Sequence, residues 1–180
     1  MPNANTFLIK PIRELVDRYI KSGDVVVDPF ARDCTVATIT NDLDPNTQAQ
    51  YHMDAVDFCE KLVQDGVCAD VVILDPPYSP RQMSECYKKV GLKKGMEGTQ
   101  NARLYKECKN RLTKILKPEG IAICCGWNSN GFGITRKFEL VEILLVPTGA
   151  AHNDYIVTVE KKLLTEEKKL EKVEESIWDI

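Results

Sequence analysis

Residues 70–78, DVVILDPPY, contain the pattern from which the fold of this chain can be deduced. The run from Val71 to Leu74 is short and apolar, as expected of a strand buried inside a sheet. Asp75 ends this strand, because Pro76 and Pro77 follow it and a pair of prolines interrupts strands and helices alike. We therefore predict a buried strand with an acidic residue at its carboxyl end and a rigid loop after it.

Helix and strand patterns alternate on both sides of this stretch. We predict further strands at 25–28, 36–40, 121–127, 138–147 and 154–162, and helices at 9–20, 55–65 and 101–116. Strands separated by helices form a mostly parallel sheet with helices on both faces, which is the α/β class. The last two strands have no helix between them, so we predict an antiparallel hairpin at one edge. Ligands of such sheets bind at the carboxyl ends of the strands, where the sequence places Asp28, Asp42 and Asp75.

The composition excludes several classes of protein. The 180 residues are enough for one compact domain and too few for two. No apolar run approaches the roughly 18 residues of a membrane span, and the first residues lack the layout of a signal peptide, so we expect a cytoplasmic protein. The seven cysteines are scattered without a C-x-x-C pair, and the two histidines are far apart. This pattern argues against a disulfide framework and predicts no metal site.

Positive charge is concentrated in one segment of an acidic chain. Residues 79–117 hold eleven Lys or Arg and three Glu, a net charge of +8, whereas the whole chain carries −3 and the remainder therefore −11. Such asymmetry indicates local contact with a polyanion. We predict that residues 79–103 form a basic loop that contacts phosphates through Arg81, Lys88, Lys89, Lys93, Lys94 and Arg103.

The residues of the DPPY stretch suit one kind of chemistry. The Asp75 carboxylate and the Pro76 carbonyl are both acceptors, and a rigid loop could aim them at the two N–H donors of an exocyclic amino group. Two acceptors draw the nitrogen lone pair out of conjugation and stabilise the charge that develops as the nitrogen attacks a methyl group. Tyr78 could stack on the face of a flat base, and no strong general base is required.

The sequence resembles the amino-group DNA methyltransferases of the N6-adenine type, in particular the small phage-type adenine methylases. The similarity rests on Asp75–Tyr78, on residues 24–35 (DVVVDPFARDCT), on Asn41–Pro45 (NDLDP), on Tyr51–Ala55 (YHMDA) and on the ending HNDYIVTVEKK. It implies a Rossmann-like methyltransferase fold with a seven-stranded sheet over residues 1–160, S-adenosylmethionine as cofactor, DNA as partner and N6 of adenine as the methylated atom.

The resemblance also implies roles for individual residues. Asp42 would accept hydrogen bonds from the ribose hydroxyls, and Asp54 would meet the cofactor adenine unless it only caps the helix after it. The family's F-x-G-x-G loop is altered to Phe30-Ala31-Arg32-Asp33-Cys34, without glycine. The implied catalytic residues are Asp75, Pro76, Pro77 and Tyr78, and the implied cofactor-binding residues are Phe7, Lys10, Asp28, Pro29, Phe30, Ala31, Asp42, Asp54, Ala55 and Asp75.

Residues 161–180 are rich in Glu and Lys and predict an amphipathic helix. Its apolar residues form one narrow seam, which consists of Leu163, Leu170, Val173, Ile177 and Ile180. This seam could cap the domain or form the interface of a homodimer or with a partner subunit.

Two alternatives to an adenine-specific DNA methyltransferase remain open. The first keeps the chemistry and changes the substrate to an RNA base or to N4 of cytosine. The second is an inactive methyltransferase-like subunit that binds nucleic acid, which the glycine-free loop and the seam helix favour.

Overall fold

A computed structural model describes residues 6–92, 101–149 and 153–164. Its α-helices are α1 (Lys10–Tyr19), α2 (Ala55–Gln64), α3 (Pro80–Lys89) and α4 (Asn101–Ile115). Its strands are β1 (Val26–Asp28), β2 (Ile39–Thr40), β3 (Ala69–Leu74), β4 (Leu116–Gly126), β5 (Phe138–Val146) and β6 (Tyr155–Lys162). None of the helices in these ranges has the length and apolar character that a membrane span requires.

The strands form one sheet in the order β2-β1-β3-β4-β6-β5. The first four strands run parallel to one another, and β6 pairs antiparallel with both β4 and β5. The α/β class and the antiparallel C-terminal hairpin are thus confirmed. The described residues contribute six strands instead of the predicted seven.

Two apolar clusters cover the two faces of this sheet. On one face, α2, α3 and α4 pack through residues such as Phe58, Met83 and Leu112. On the other face, α1 packs through Ile12, Leu15 and Val16 against β1, β3, β4 and β6. Because both faces are covered, β3 is buried along nearly its whole length, as its apolar run predicted.

Two predicted segments differ from the structure. Residues 80–89 of the predicted basic loop form α3, because Ser79 and Gln82 make a reciprocal capping box and Pro80 occupies the first turn. Residues 161 and 162 of the predicted C-terminal helix belong to β6. Leu163 and Leu164 follow β6 without helical structure, and the Leu163 N–H donates to the Lys137 carbonyl at 2.8 Å, so the predicted place of Leu163 in a helical seam is wrong. The rest of that helix, from residue 165, lies outside the described residues, and the remainder of the seam stays a prediction.

Candidate active site

Three acidic side chains meet at the carboxyl ends of three parallel strands. Asp28 is the last residue of β1, Asp42 follows β2, and Asp75 follows β3. The charges of Asp75 and Asp42 both raise the pKa of Asp28, which places the three carboxyl groups near one another. The structure therefore brings together the three acids that the strand pattern predicted at this edge.

Asp28 is the most deeply buried of these acids. Its side chain accepts a hydrogen bond of 2.8 Å from the backbone N–H of Phe30, which fixes the start of the following loop. Burial, and secondarily the nearby Asp75 and Asp42, raise the pKa of Asp28 from 3.8 to about 8. A bound positive charge would lower this pKa and favour the carboxylate, so the cluster of Asp28, Asp42 and Asp75 suits a ligand that carries positive charge.

The loop after β1 makes its turn without glycine. Arg32 adopts a φ of 51°, in the left-handed region that glycine would occupy most easily. The backbone N–H of Arg32 donates to Asp42, and its guanidinium lowers the pKa of both Asp42 and Asp75 against the larger effect of burial, which raises them. The absence of glycine is evident from the sequence, whereas these contacts of Arg32, which retain the turn, depend on the fold.

Asp42 and Asp54 are both held by backbone donors. The Asp42 carboxylate accepts a 2.8 Å hydrogen bond from the N–H of Asp44. Asp54 caps α2 through the N–H of Val56 at 3.0 Å, and its second oxygen accepts the Tyr87 hydroxyl at 2.6 Å. The capping role of Asp54 is therefore confirmed, and its contact with a cofactor stays a prediction.

The remaining predicted cofactor residues fall into two groups. Lys10 is exposed and lies 3.7 Å from Glu14 on the same helix. The others lie at the sheet edge or beneath it: Phe7, Pro29, Ala31 and Ala55 are buried, and Phe30 is half-buried against the α2 side of the core. These positions are compatible with the predicted cofactor site, and the cofactor role of all of these residues, Lys10 included, stays a prediction.

Asp75 is held by hydroxyl groups from two distant parts of the chain. The Tyr78 hydroxyl donates a short hydrogen bond to one Asp75 oxygen. Thr6, just before α1, donates a second, and sequence analysis missed this residue because no local pattern links it to β3. Burial raises the pKa of Asp75, and these two hydrogen bonds oppose that effect.

The DPPY loop is fixed by side chains of α3 and α4. The Tyr78 N–H donates to the Gln82 side chain at 2.7 Å, and the Tyr105 hydroxyl donates to the Pro77 carbonyl at 3.0 Å. Pro76 is also buried, so the loop is held at three points, and its rigidity stays a prediction.

Aromatic rings surround a small cavity beside this loop. The Tyr78 ring lies 5.5 Å from Trp127 and 6.3 Å from Tyr155, centroid to centroid. The cavity measures about 80 Å³, and its lining includes Pro76, Tyr78, Tyr105, Lys109 and Trp127. Trp127 was part of a predicted strand, and its role in the site was not foreseen.

The predicted phosphate-contacting residues are divided between α3, α4 and a segment outside the described residues. Arg81 pairs with Glu85 at 2.9 Å, and Lys89 of α3 pairs with Asp44 at 2.5 Å. Lys88 and Arg103 are exposed, on α3 and α4. Lys93 and Lys94 lie outside the described residues. Because Tyr87 contacts Asp54 and Lys89 contacts Asp44, α3 lies against the acids of the sheet edge.

The sequence matches no protein-family model and no curated protein, but solved structures do match. SMU.776, complexed with SAH, has a TM-score of 0.61 at 13% identity over 87% of this chain and 50% of its own. TrmN from Thermus thermophilus has a TM-score of 0.55 at 17% identity over 84% of this chain and 48% of its own. The chain thus spans about half the length of these two proteins.

A third match is the Burkholderia thailandensis 1,6-didemethyltoxoflavin-N1-methyltransferase, with bound 1,6-didemethyltoxoflavin and S-adenosylhomocysteine. Its TM-score is 0.53 at 12% identity, over 86% of this chain and 78% of its own. At such identities the likeness shows the fold, and this chain therefore has the α/β fold of the methyltransferases.

Proposed function

We propose that this protein transfers a methyl group from S-adenosylmethionine to an exocyclic amino nitrogen, most directly N6 of adenine in DNA. The observation that carries the proposal is the position of Asp75. Its half-buried carboxyl group follows β3 in a methyltransferase fold, on a DPPY loop held by α3 and α4, beside a cavity walled by aromatic rings.

The acids at the sheet edge fit the cofactor by their chemistry. S-adenosylmethionine supplies a methyl group on a positively charged sulfur when bound. Asp28 keeps its proton up to about pH 8 in the free protein, and a bound positive charge would lower that pKa and favour its carboxylate. Asp75 and Asp42 offer further acceptors, and Asp42 lies where ribose hydroxyls would be received. The S-adenosylhomocysteine named for two of the compared structures supports this assignment.

Asp75 and the Pro76 carbonyl would receive the two N–H groups of the substrate. Hydrogen bonds from the amino group to these acceptors localise the nitrogen lone pair and make the nitrogen a better nucleophile. The Tyr78 hydroxyl occupies one Asp75 oxygen in the free protein, so it must yield that oxygen when substrate binds. Asp75 can then take the amino proton, for which its raised pKa makes it a better acceptor than an ordinary carboxylate.

The charge distribution supports a nucleic acid as substrate. Residues 79–117 carry +8 on a chain that is otherwise acidic, and this segment leaves directly from Tyr78. The Arg81–Glu85 and Lys89–Asp44 pairs involve exposed cations. Exposed ion pairs such as Arg81–Glu85 contribute little to stability, so Arg81 can exchange its partner for a phosphate, whereas Lys89 would have to leave the buried Asp44. Binding of phosphates would help to offset the cost of turning a base out of its stack.

Calorimetry and a methylation assay test this proposal together. We expect S-adenosylhomocysteine to bind the wild-type protein, and Asp42→Ala to weaken binding by about 1–3 kcal/mol, the cost of unpairing buried donors. We expect radiolabelled methyl transfer to DNA, and its loss in Asp75→Ala with cofactor affinity retained. Parallel assays on RNA and on cytosine-only strands identify the base, and absence of cofactor binding would exclude the proposal.

The salt dependence of DNA binding tests the basic segment. If about four phosphates are contacted, log affinity should fall against log salt with a slope near −3 to −4. Lys88→Ala with Lys89→Ala should flatten this slope by up to about two. The matched control, Lys21→Ala with Lys61→Ala, removes the same charge elsewhere and should leave the slope unchanged. Equal slopes in both double variants would show that α3 does not contact phosphate.

A further inference from the structure

The loop between β4 and β5 is held by a buried cation. This loop, residues 127–133 (WNSNGFG), follows β4 at the same end of the sheet as Asp75. Lys109 of α4 is only 6% exposed, and its ammonium donates to the carbonyls of Asn130 at 2.6 Å and Gly131 at 2.7 Å. The loop is thereby tied to the helix beneath it.

A buried carboxylate holds the same loop from the other side. Glu160 of β6 is 4% exposed and accepts the backbone N–H groups of Phe132 and, at 2.8 Å, Gly133. A Cβ atom on Gly131 would lie 1.9 Å from a Glu160 oxygen, so the backbone and this carboxylate fit closely. The loop and Glu160 therefore have complementary shapes as well as complementary charges.

Burying two charges to hold a surface loop is costly. A buried charge is tolerated only when its hydrogen bonds are satisfied, and connecting loops usually vary in conformation. The conformation of residues 127–133 is therefore important for something other than joining two strands. The loop lines the cavity with Trp127, Asn128 and Asn130. Of these, Trp127 offers an aromatic ring, which is 36% exposed and packs on Tyr78.

We propose that Trp127 is a second stacking surface for the substrate, so that the reacting base lies between Trp127 and Tyr78. This inference rests on the proposed function. Tyr155 contacts Tyr78 edge-on and supports it. The 5.5 Å between the centroids of Tyr78 and Trp127 leaves no room for a third ring, because two stacked contacts need about 7 Å. The pair is closed in the free protein, and Trp127, the more exposed partner, moves outward when a flat aromatic amine enters.

Tryptophan fluorescence tests this movement directly. In a Trp178→Phe background Trp127 is the remaining tryptophan. The protein is saturated with S-adenosylhomocysteine, so that adenine cannot enter the cofactor site, and is titrated with a short oligodeoxyadenylate strand. We expect saturable quenching of the Trp127 emission, and at most a small change with an abasic strand of the same length. Equal responses to both strands, or none, would overturn the proposal.

Steady-state kinetics on the same strand provide the second test. Trp127→Ala should raise the KM for the strand by about tenfold or more, since stacking on an aromatic ring is worth roughly that factor. Trp127→Phe should stay within about threefold of wild type, because it keeps a ring. Leu145→Ala, an exposed apolar residue on β5, is the matched control and should not change the KM. A wild-type KM for Trp127→Ala would overturn the proposal.

The two proposals fail in different ways. If S-adenosylhomocysteine does not bind and no methyl group is transferred, both are wrong. If the cofactor binds and methyl transfer occurs, but Trp127→Ala has an unchanged KM and the abasic strand quenches equally, only the role of Trp127 is wrong.

Discussion

The buried carboxyl group of Asp28 should make the stability of this protein depend on pH. Asp28 is 1% exposed, and its pKa is raised from 3.8 to about 8, chiefly by burial. Below pH 4 the group is protonated in the folded and the unfolded chain alike. As the pH rises towards 8, the unfolded chain loses this proton while the folded chain keeps it, so unfolding becomes easier.

The size of this effect follows from the pKa. Each pKa unit is worth about 1.4 kcal/mol, so ionisation of the unfolded chain removes up to about 5–6 kcal/mol of stability between pH 4 and pH 8. Asp28→Asn is the informative variant, because its side-chain oxygen can still accept the hydrogen bond from Phe30 and it does not ionise. The variant should therefore be more stable than wild type at pH 8, and close to it at pH 4.

Urea denaturation of wild type and Asp28→Asn across this pH range provides the measurement. The difference between the two proteins cancels the contributions of other titrating groups. Asp17→Asn, which changes an exposed carboxyl group on α1, is the control and should track wild type at every pH. If Asp28→Asn also tracked wild type, the Asp28 side chain would have to be ionised at ordinary cost, and the reasoning from burial would be refuted.

Three further predictions follow from other contacts at the site. Arg32→Gly should raise the free energy of unfolding by up to about 1 kcal/mol, because glycine adopts the left-handed turn without a Cβ penalty. Arg32→Ala keeps the Cβ atom and should not raise it, and urea denaturation of both variants provides the measurement. Tyr78→Phe removes a hydrogen bond that lowers the pKa of Asp75 in the free protein. If ionised Asp75 is needed for methyl transfer, the acid limb of the kcat/KM profile, which reports the free enzyme, should move to higher pH, and an unmoved limb would argue against this role. Lys89→Ala should return the pKa of Asp44 from about 2 towards its ordinary value, which NMR titration can follow, and an unchanged pKa would show that the ion pair does not form in solution.

Features that depend on short stretches of sequence could be predicted. The apolar run before Asp75 ends where the strand ends, and Asp54 caps the helix that begins after it. Helix α3 also has a local signal, the Ser79–Gln82 capping box behind a proline pair, but the many charged residues and glycines of this segment favoured a loop.

Contacts between distant parts of the chain could not be predicted in this way. Thr6 reaches Asp75 from a turn that precedes the sheet, and Glu160 reaches the loop after β4 from the last strand. Neither residue belongs to a pattern with its partner, because the fold alone brings them together. The left-handed Arg32 is similar, since its turn depends on an acceptor supplied by Asp42.

The position of α3 has a consequence for turnover. Tyr87 and Lys89 of this helix hold Asp54 and Asp44, which belong to the stretches implied to receive the cofactor's adenosine. If the proposed function holds, α3 lies beside the bound cofactor. Spent cofactor then leaves only as fast as the Tyr87–Asp54 and Lys89–Asp44 contacts break. The same helix begins two residues after Tyr78, and its Gln82 holds the DPPY loop. Movement of α3 would then release the spent cofactor and free the DPPY loop in the same step, so this one helix would set the rate of turnover.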